Sequence, residues 1–574
     1  YRAEIDGLRA VAVLSVIISH FDRSLLPSGH LGVDIFFVIS GFVITQSLVA
    51  RQHTTFRSFI HDFYDRRVKR ILPALVLSVV VTFVFALLII NPESNLYTST
   101  RKTAIAALFG VSNFYLLHQA TDYFSASAKL NPFTQTWSLG VEEQFYLLFP
   151  LLFWFSGITR KKASGFRCFA WIISVTGALS LLSYFLVSNT NPVAAFYLMP
   201  TRFWELATGS IAYLIFSEKN KAVMDFSQPL IAVVAVSLIA SLFIPREYPV
   251  TSTFLVVLSS AILIVTLRPA SFIYRILTTR PVIYIGVISY SLYLWHWSVL
   301  TLSHLSVGIN KWTVPFQLAL IFILALLSYR YVEKPLRRAD WSFIKPGKIH
   351  LRALGHGLVT VFFVASILYI LSVPLSGLLF AGKPAPLILK GVETLIEEQD
   401  YRGLYFWQGE QCVLTSNDEV GKDINFENCT FGDFKTAKRR FLVIGNSFSV
   451  AELEMFKVLV DNKLGSVTIT SSWGASAVPE IELNNSWSKA NNYYWSTVIP
   501  SLIEQLQSGD IVIIINDGKD FMPENFSAVY EQRFKDLRNG LGRLAEKLKR
   551  KGISILYQSG NPFILEANCT PDTA

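Results

Sequence analysis

The sequence is short of charge and of cysteine. Only 16% of its 574 residues are Asp, Glu, Lys or Arg, against 52% hydrophobic. A chain so poor in charge is too apolar for a purely soluble protein and too long for one domain. It reads as a multispan membrane protein. Acidic side chains are scarcer than basic ones, 41 against 51, which leaves a formal charge of +10. Such an excess can mark nucleic-acid binding, but here the basic residues cluster in short loops between apolar runs, as on the cytoplasmic side of membrane proteins. No nucleic-acid partner is implied. No small-residue cleavage site follows the first apolar run, which opens YRAEIDGLR, so it is read as a retained span and not as a secretory signal. The missing initiator Met reads as trimming.

There are four cysteines. Cys168 lies beside a basic loop, whereas Cys412, Cys429 and Cys569 lie in the polar C-terminal third. A Cys412–Cys429 disulfide is expected if that third is extracytoplasmic; two free thiols are the other reading. Cys569 is then left over close to the last residue, which points to a partner in sequence beyond it. No metal site is expected.

A crossing helix needs about 20 apolar residues. Runs of that kind occur near 8–26, 32–50, 71–90, 141–157, 169–188, 201–217, 229–245, 251–267, 282–304, 315–332 and 355–376, eleven in all. A shorter stretch, 103–117 (TAIAALFGVSNFYLL), is left out as re-entrant or interfacial. With that choice, four basic loops all fall on the cytoplasmic side: Arg66, Arg67, Lys69 and Arg70; Arg160, Lys161 and Lys162; Arg268, Arg275 and Arg280; Arg337, Arg338, Lys345 and Lys348. Counting it as a span puts three of them outside. The same parity places everything after about residue 380 on the far side of the membrane.

Titratable residues are rare in these runs, so each one counts. Arg9 and His20 are eleven positions apart in the first run, about three turns and roughly 16 Å of rise, so they share a face at two depths. One reading makes them a path through the bundle interior; the other has Arg9 snorkelling to the inner surface and His20 marking the outer interface. Asp34, Glu142, Arg202 and Glu205 fall near the outer ends of their runs, and His296 in the outer half of its own. Acid, base and guanidinium at one depth is what a buried reaction centre requires. Each alone reads as an interhelical hydrogen bond or a loop-edge charge. In DFYDRRVKRILP, read as a cytoplasmic loop, Arg67 and Arg70 are one turn apart and can clamp a phosphorylated ligand, or anchor the chain at the inner surface.

The last third alternates strand and helix. KRRFLVIGNSFS, SVTITSSWGAS and DIVIIINDG are strands ending in turns, with helices between them and a long amphipathic helix from about Ala528 to Lys551 before the strand ISILYQSG. This is a βαβ series with a parallel sheet. Ser447, Gly474 and Asn516 fall at the carboxyl ends of strands, where such folds meet ligands. Ser447 there is either a nucleophile, with Gly474 N–H and the Asn516 amide as oxyanion donors, or the cap of the next helix.

With those residues in view, the chain resembles the membrane acyltransferase family (acyltransferase type 3) fused to an SGNH-hydrolase-like domain, as in bacterial surface-polysaccharide O-acetyltransferases. The matching pieces, in family order, are EIDGLRAVAVLSVIISH, GVDIFFVISGFVIT, RRVKRILPA, TWSLGVEEQFYLLFP, RFWELATGS, SYSLYLWHW and YVEKPLRR. The resemblance implies a polytopic helical membrane domain of ten core spans over 1–338, a linker over 339–400 with an eleventh span at about 355–376, and a periplasmic α/β SGNH-like domain over 401–574, incomplete at its C-terminus. It implies transfer of acetyl from cytoplasmic acetyl-CoA to a hydroxyl of an extracytoplasmic glycan, by an enzyme of the bacterial inner membrane. Lipopolysaccharide O-antigen is the expected acceptor, with peptidoglycan or an exopolysaccharide next, and a transporter or flippase with a glycan-binding ectodomain as the rival class. By position, Arg9 and His20 match the family's essential Arg and His, Arg67 and Arg70 its Arg-x-x-Arg motif for coenzyme A, and Glu142 its WSL-x-x-E glutamate; Asp34 joins them as a catalytic candidate. In the SGNH-like part, Gly474 and Asn516 match the second and third blocks. Asn446 replaces the usual acid before Ser447, and the expected Asp-x-x-His is absent.

Overall fold

Backbone amides cannot be left open to lipid, so apolar runs become helices, and each of the eleven falls largely within one. The computed structural model describes residues 2–51, 55–92, 94–121, 128–160, 163–219, 228–245, 248–269, 271–339, 341, 352–381, 412–452, 456, 459–460, 462–481, 487–516 and 528–559. The chain divides into two units that part near residue 382. Lys161, Lys162, Lys345, Lys348, Cys569 and the linker residues 340, 342–351 and 382–400 lie outside the described residues.

In the N-terminal unit six helices are named here: α1 (Ala3–Phe21), α2 (Gly32–Val49), α3 (Phe56–Ile89), α4 (Trp137–Phe155), α5 (Met199–Lys219) and α6 (Ser289–His304). Among the described residues, six helices are long and apolar enough to cross a membrane by themselves. A seventh crossing is available if Arg280–Val287 and α6, bent by 67° at their junction, count as one span. The count of eleven is therefore not met on length and apolarity. The other four runs are helices, but α1, α4 and α5 carry charged residues such as Asp6, Glu142 and Arg202, and Gln228–Ser241 has only 14 residues.

One further expectation changes. DFYDRRVKRILP is not a loop but part of α3, whose 34 residues give about 51 Å of helix, more than the roughly 30 Å hydrocarbon thickness. Thr55 caps its start by accepting from Ser58 N–H. The 103–117 stretch is two helices, Asn95–Leu108 and Ser112–Thr121, of 14 and 10 residues, separated at Gly110 with φ +68°. Neither is long enough to cross.

Close backbone approach fixes α2 against α5. A Cβ on Gly41 would stand 1.9 Å from the Leu206 carbonyl oxygen, and one on Gly209 would stand 2.0 Å from that of Val38. Where lipid is as apolar as leucine, small residues at a seam let van der Waals contact replace the hydrophobic drive.

The C-terminal unit is built on a five-stranded sheet. Its strands are β1 (Val413–Leu414), β2 (Thr430–Phe431), β3 (Arg440–Gly445), β4 (Ser466–Ile469), β5 (Ser471–Ser472), β6 (Ile511–Asn516) and β7 (Ser554–Ser559). The larger sheet has the order β2-β4-β3-β6-β7 and β1 pairs with β5 separately. All pairs in the larger sheet are parallel except β2 with β4. The central parallel strands β3, β4 and β6 are largely buried and rich in Val and Ile, as strands covered on both faces require, whereas the edge strand β7 is partly exposed. Cys412 and Cys429 form the expected disulfide. The amphipathic helix spans Ala528–Arg550.

Candidate active site

In the N-terminal unit, α1, α2, α3, α4 and α6 line a cavity of about 760 Å³, counting the space at its open mouth. Arg9 enters from α1, Arg67 and Arg70 from α3, and Glu142 from α4, so three guanidiniums face one carboxylate. Arg67 and Arg70 share the cavity because a three-residue step returns to one helix face. They lie well inside α3, not at its start, so they meet Glu142 instead of staying at a separate inner surface.

Three of these charges have defined partners. Arg9 Nη1 donates to Asp6 Oδ1 at 2.8 Å, one turn back on α1. Glu142 accepts from the Ser40 hydroxyl and from the Tyr146 hydroxyl, both at 2.8 Å. The Arg67 guanidinium lies over the rings of Phe63 at 5.5 Å and Tyr146 at 5.3 Å. A second, largely apolar cavity of about 1080 Å³ shares Arg67, Ile71 and Tyr146 with the first and is otherwise walled partly by Leu354, Leu358 and Val361.

His20 is not on the wall of the first cavity. Its ring lies inside the bundle, with Nδ1 3.0 Å from His296 Nε2 and the Trp297 ring edge-on at 4.7 Å. His296 Nδ1 in turn lies 2.6 Å from the Tyr293 carbonyl oxygen. Tyr293 does line the cavity, so His20 and Arg9 are joined to it at different depths, as their spacing on α1 implies.

Asp34 is placed elsewhere. It pairs with Arg202 at 3.2 Å, and Arg202 pairs with Glu205 at 3.0 Å, all three buried. The Arg202 guanidinium also lies over Trp137 and Phe196, at 5.6 and 5.7 Å. This ties α2 to α5 and leaves Asp34 off the cavity wall. Tyr146, Ser40 and Asp6 were not singled out in the sequence. The four-residue step from Glu142 to Tyr146 and the three-residue step from Asp6 to Arg9 are the signals that could have found two of them.

In the C-terminal unit the strand order puts β3 between β4 and β6, so the chain reverses direction across the sheet at the carboxyl end of β3. That switch point is where open parallel sheets bind ligands, and Ser447 stands there. Asn446 caps the helix Ser447–Ala451, accepting from Phe448 N–H at 3.1 Å, and its amide donates to Asn516 Oδ1 at 3.0 Å. Asn516 Nδ2 donates to the Ala475 carbonyl at 3.0 Å, which commits one of the two protons expected for an oxyanion. Gly474 has φ +63°. Burial pushes the Tyr494 phenol up; it bridges the β3 end by accepting from Gly445 N–H and donating to the Thr470 carbonyl. All nine histidines lie at or before residue 356, so this unit offers Ser447 no imidazole from its own sequence.

The family model for the acyltransferase domain matches residues 2–329. A Listeria monocytogenes protein named peptidoglycan O-acetyltransferase OatA is 31% identical over 354 residues, covering 59% of this chain and 56% of the relative. A Staphylococcus aureus protein named O-acetyltransferase OatA is 32% identical over 358 residues, covering 60% and 58%. The chain thus spans a little over half the length of these curated relatives. No solved structure matches.

Proposed function

From its place in the acyltransferase domain family, to which this chain belongs, we propose that it is a membrane O-acetyltransferase of a cell-surface glycan. The donor in this reading is cytoplasmic acetyl-CoA. The observation that carries it is the cavity in which Arg9, Arg67 and Arg70 face a single carboxylate. Guanidiniums are planar, always charged and suited to bidentate phosphate recognition, so such a wall fits a polyanionic donor. In the transfer the acceptor oxygen attacks the thioester carbonyl carbon as its proton passes to His20, the C–S bond breaks to release the coenzyme A thiolate, and the proton is then given up to that thiolate, so His20 returns to its neutral form. Arg9, about three turns from His20 on the same helix, steadies the donor from the cavity wall together with Arg67 and Arg70. Since the relatives include one named for peptidoglycan, peptidoglycan is the leading acceptor here, ahead of the O-antigen that the sequence alone favours. In this reading the protein is a plasma-membrane protein, residues 1–338 are the acyltransferase domain, and residues 401–574 are an extracytoplasmic SGNH-like domain joined through 339–400.

The test is transfer of labelled acetyl from acetyl-CoA to a muropeptide or polysaccharide by the full chain in proteoliposomes. Alkali-labile label on the glycan, lost in His20→Ala, is the expected result. No transfer to any such acceptor by the wild-type protein overturns the reading.

A further inference from the structure

We infer that His296 is a positioning residue for His20, one that fixes which of its ring nitrogens is basic. The inference rests on the function proposed above, in which His20 takes a proton. A carbonyl oxygen can only accept, so the 2.6 Å contact between His296 Nδ1 and the Tyr293 carbonyl requires the proton of neutral His296 to sit on Nδ1. Its Nε2 then carries a lone pair. The 3.0 Å contact with His20 Nδ1 has its proton on the His20 side, which makes His20 the Nδ1–H tautomer and Nε2 its basic nitrogen. The geometry agrees: the ring planes differ by 1° with centroids 5.2 Å apart, the separation of two imidazoles meeting nitrogen to nitrogen in one plane, so the N–H points along the contact.

The device is rigid beyond the pair. Tyr293, His296 and Trp297 lie on consecutive turns of α6, and the Trp297 indole that meets the His20 ring donates to the Asn131 carbonyl at 2.9 Å. The Tyr293 hydroxyl donates to the Gln135 carbonyl at 2.9 Å and meets Ser138 at 2.7 Å. Because Tyr293 and Ser138 also wall the cavity, the same frame that shapes the donor site sets the orientation of the imidazole. Base and orienting group within hydrogen-bond reach is the arrangement that proton transfer in acyl chemistry needs. His296 differs from the usual carboxylate orienter in being neutral, so it selects a tautomer without adding a buried charge.

Two measurements on the full chain in proteoliposomes test this. Nitrogen NMR of histidine-labelled wild type, with His20 assigned by its loss in His20→Asn, is expected to find Nδ1 protonated and Nε2 bare. The opposite tautomer overturns the inference without any variant having to be active. In kinetics, His296→Phe keeps bulk but offers no acceptor, whereas His296→Gln places a carboxamide oxygen near the lost Nε2. His296→Phe is expected to lower kcat about a hundred-fold, within the range of acid–base contributions, with KM for acetyl-CoA held within about two-fold. His296→Gln should recover about ten-fold of that loss. A Phe variant at wild-type rate, or a Gln variant as slow as Phe, overturns the inference alone; a wild-type protein that transfers nothing overturns the function beneath it.

Discussion

Tyr146 donates its hydroxyl to Glu142 at 2.8 Å from one turn further along the same helix. Its ring meanwhile lies under the Arg67 guanidinium. One side chain therefore holds both the Glu142 carboxylate and one of the guanidiniums of the cavity wall. Tyr146→Phe keeps the ring and removes the hydroxyl, leaving Glu142 with the hydrogen bond from the Ser40 hydroxyl at 2.8 Å. Losing a hydrogen bond to a charged group costs about 1.5–3 kcal/mol. The expected outcome is a lower unfolding midpoint in detergent together with weaker acetyl-CoA binding. An unchanged midpoint would show that the contact carries no weight.

Arg67 and Arg70 bear on the donor directly. Replacing either by Ala should weaken acetyl-CoA binding by at least about ten-fold, since a charge-assisted phosphate contact is worth more than a neutral one. Lys should restore little at a site that needs the planar fork. Calorimetry with acetyl-CoA and with a pantetheine thioester lacking the nucleotide separates the phosphate contribution. If both ligands lose equally, or neither does, the arginines do not read phosphate.

The spacing of Arg67 and Arg70, and of Arg9 and His20, was legible because helical period is written in sequence separation. Convergence was not. Glu142 meets Ser40 from 102 residues away, and Asp34 is claimed by Arg202 from another helix; no local pattern carries either partner. His296 was visible as a second imidazole at the depth of His20, but its hydrogen bond is a tertiary fact. The same holds in the last third, where strand alternation located Ser447 and Asn516, while Asn446, read as a lost acid, turns out to be a helix cap.

The α2–α5 seam offers a stability test. A Cβ on Gly209 meets a backbone oxygen at 2.0 Å, and backbone has no rotamer to yield. Gly209→Val should cost several kcal/mol, above the roughly 1–3 kcal/mol usual for overpacking, and be read as lost monodisperse protein on size exclusion. Gly355 is the control: it is helical with nothing within 4 Å of its Cβ position, so Gly355→Ala should be neutral or stabilise by about 0.5–1 kcal/mol. Equal behaviour of the two variants would remove the seam's role.

In the C-terminal unit, Glu419 answers to pH. Partial burial raises its carboxyl, but hydrogen bonds from the Thr415 and Ser416 backbone N–H groups and from Lys422 outweigh it and hold the group below the usual glutamate range. A lowered folded value means stability that is present above the ordinary glutamate pKa and lost as pH falls through the folded one. Wild type should therefore unfold more readily as the medium is acidified below about pH 4, while Glu419→Gln should start less stable and lose less over that window. Parallel pH curves for the two would count against it.

Ser447 decides whether acetyl pauses on the protein. It stands at the switch point of the sheet, in the first turn of a helix whose cap is Asn446, and the neighbouring Asn516 has one amide proton committed to Ala475 and its carbonyl to Asn446. If Ser447 takes the acetyl group from the membrane domain, a base must reach its hydroxyl, and no histidine after residue 356 can be that base. Trapping the full chain with labelled acetyl-CoA and digesting it then has two readable ends. An acetylated peptide containing Ser447, absent in Ser447→Ala, makes the outer unit a relay whose base is not a histidine after residue 356. Glycan acetylation that persists in Ser447→Ala at the wild-type rate makes the transfer direct from the membrane domain, and leaves the strand-end Ser, Gly and Asn as a surface that binds the acceptor.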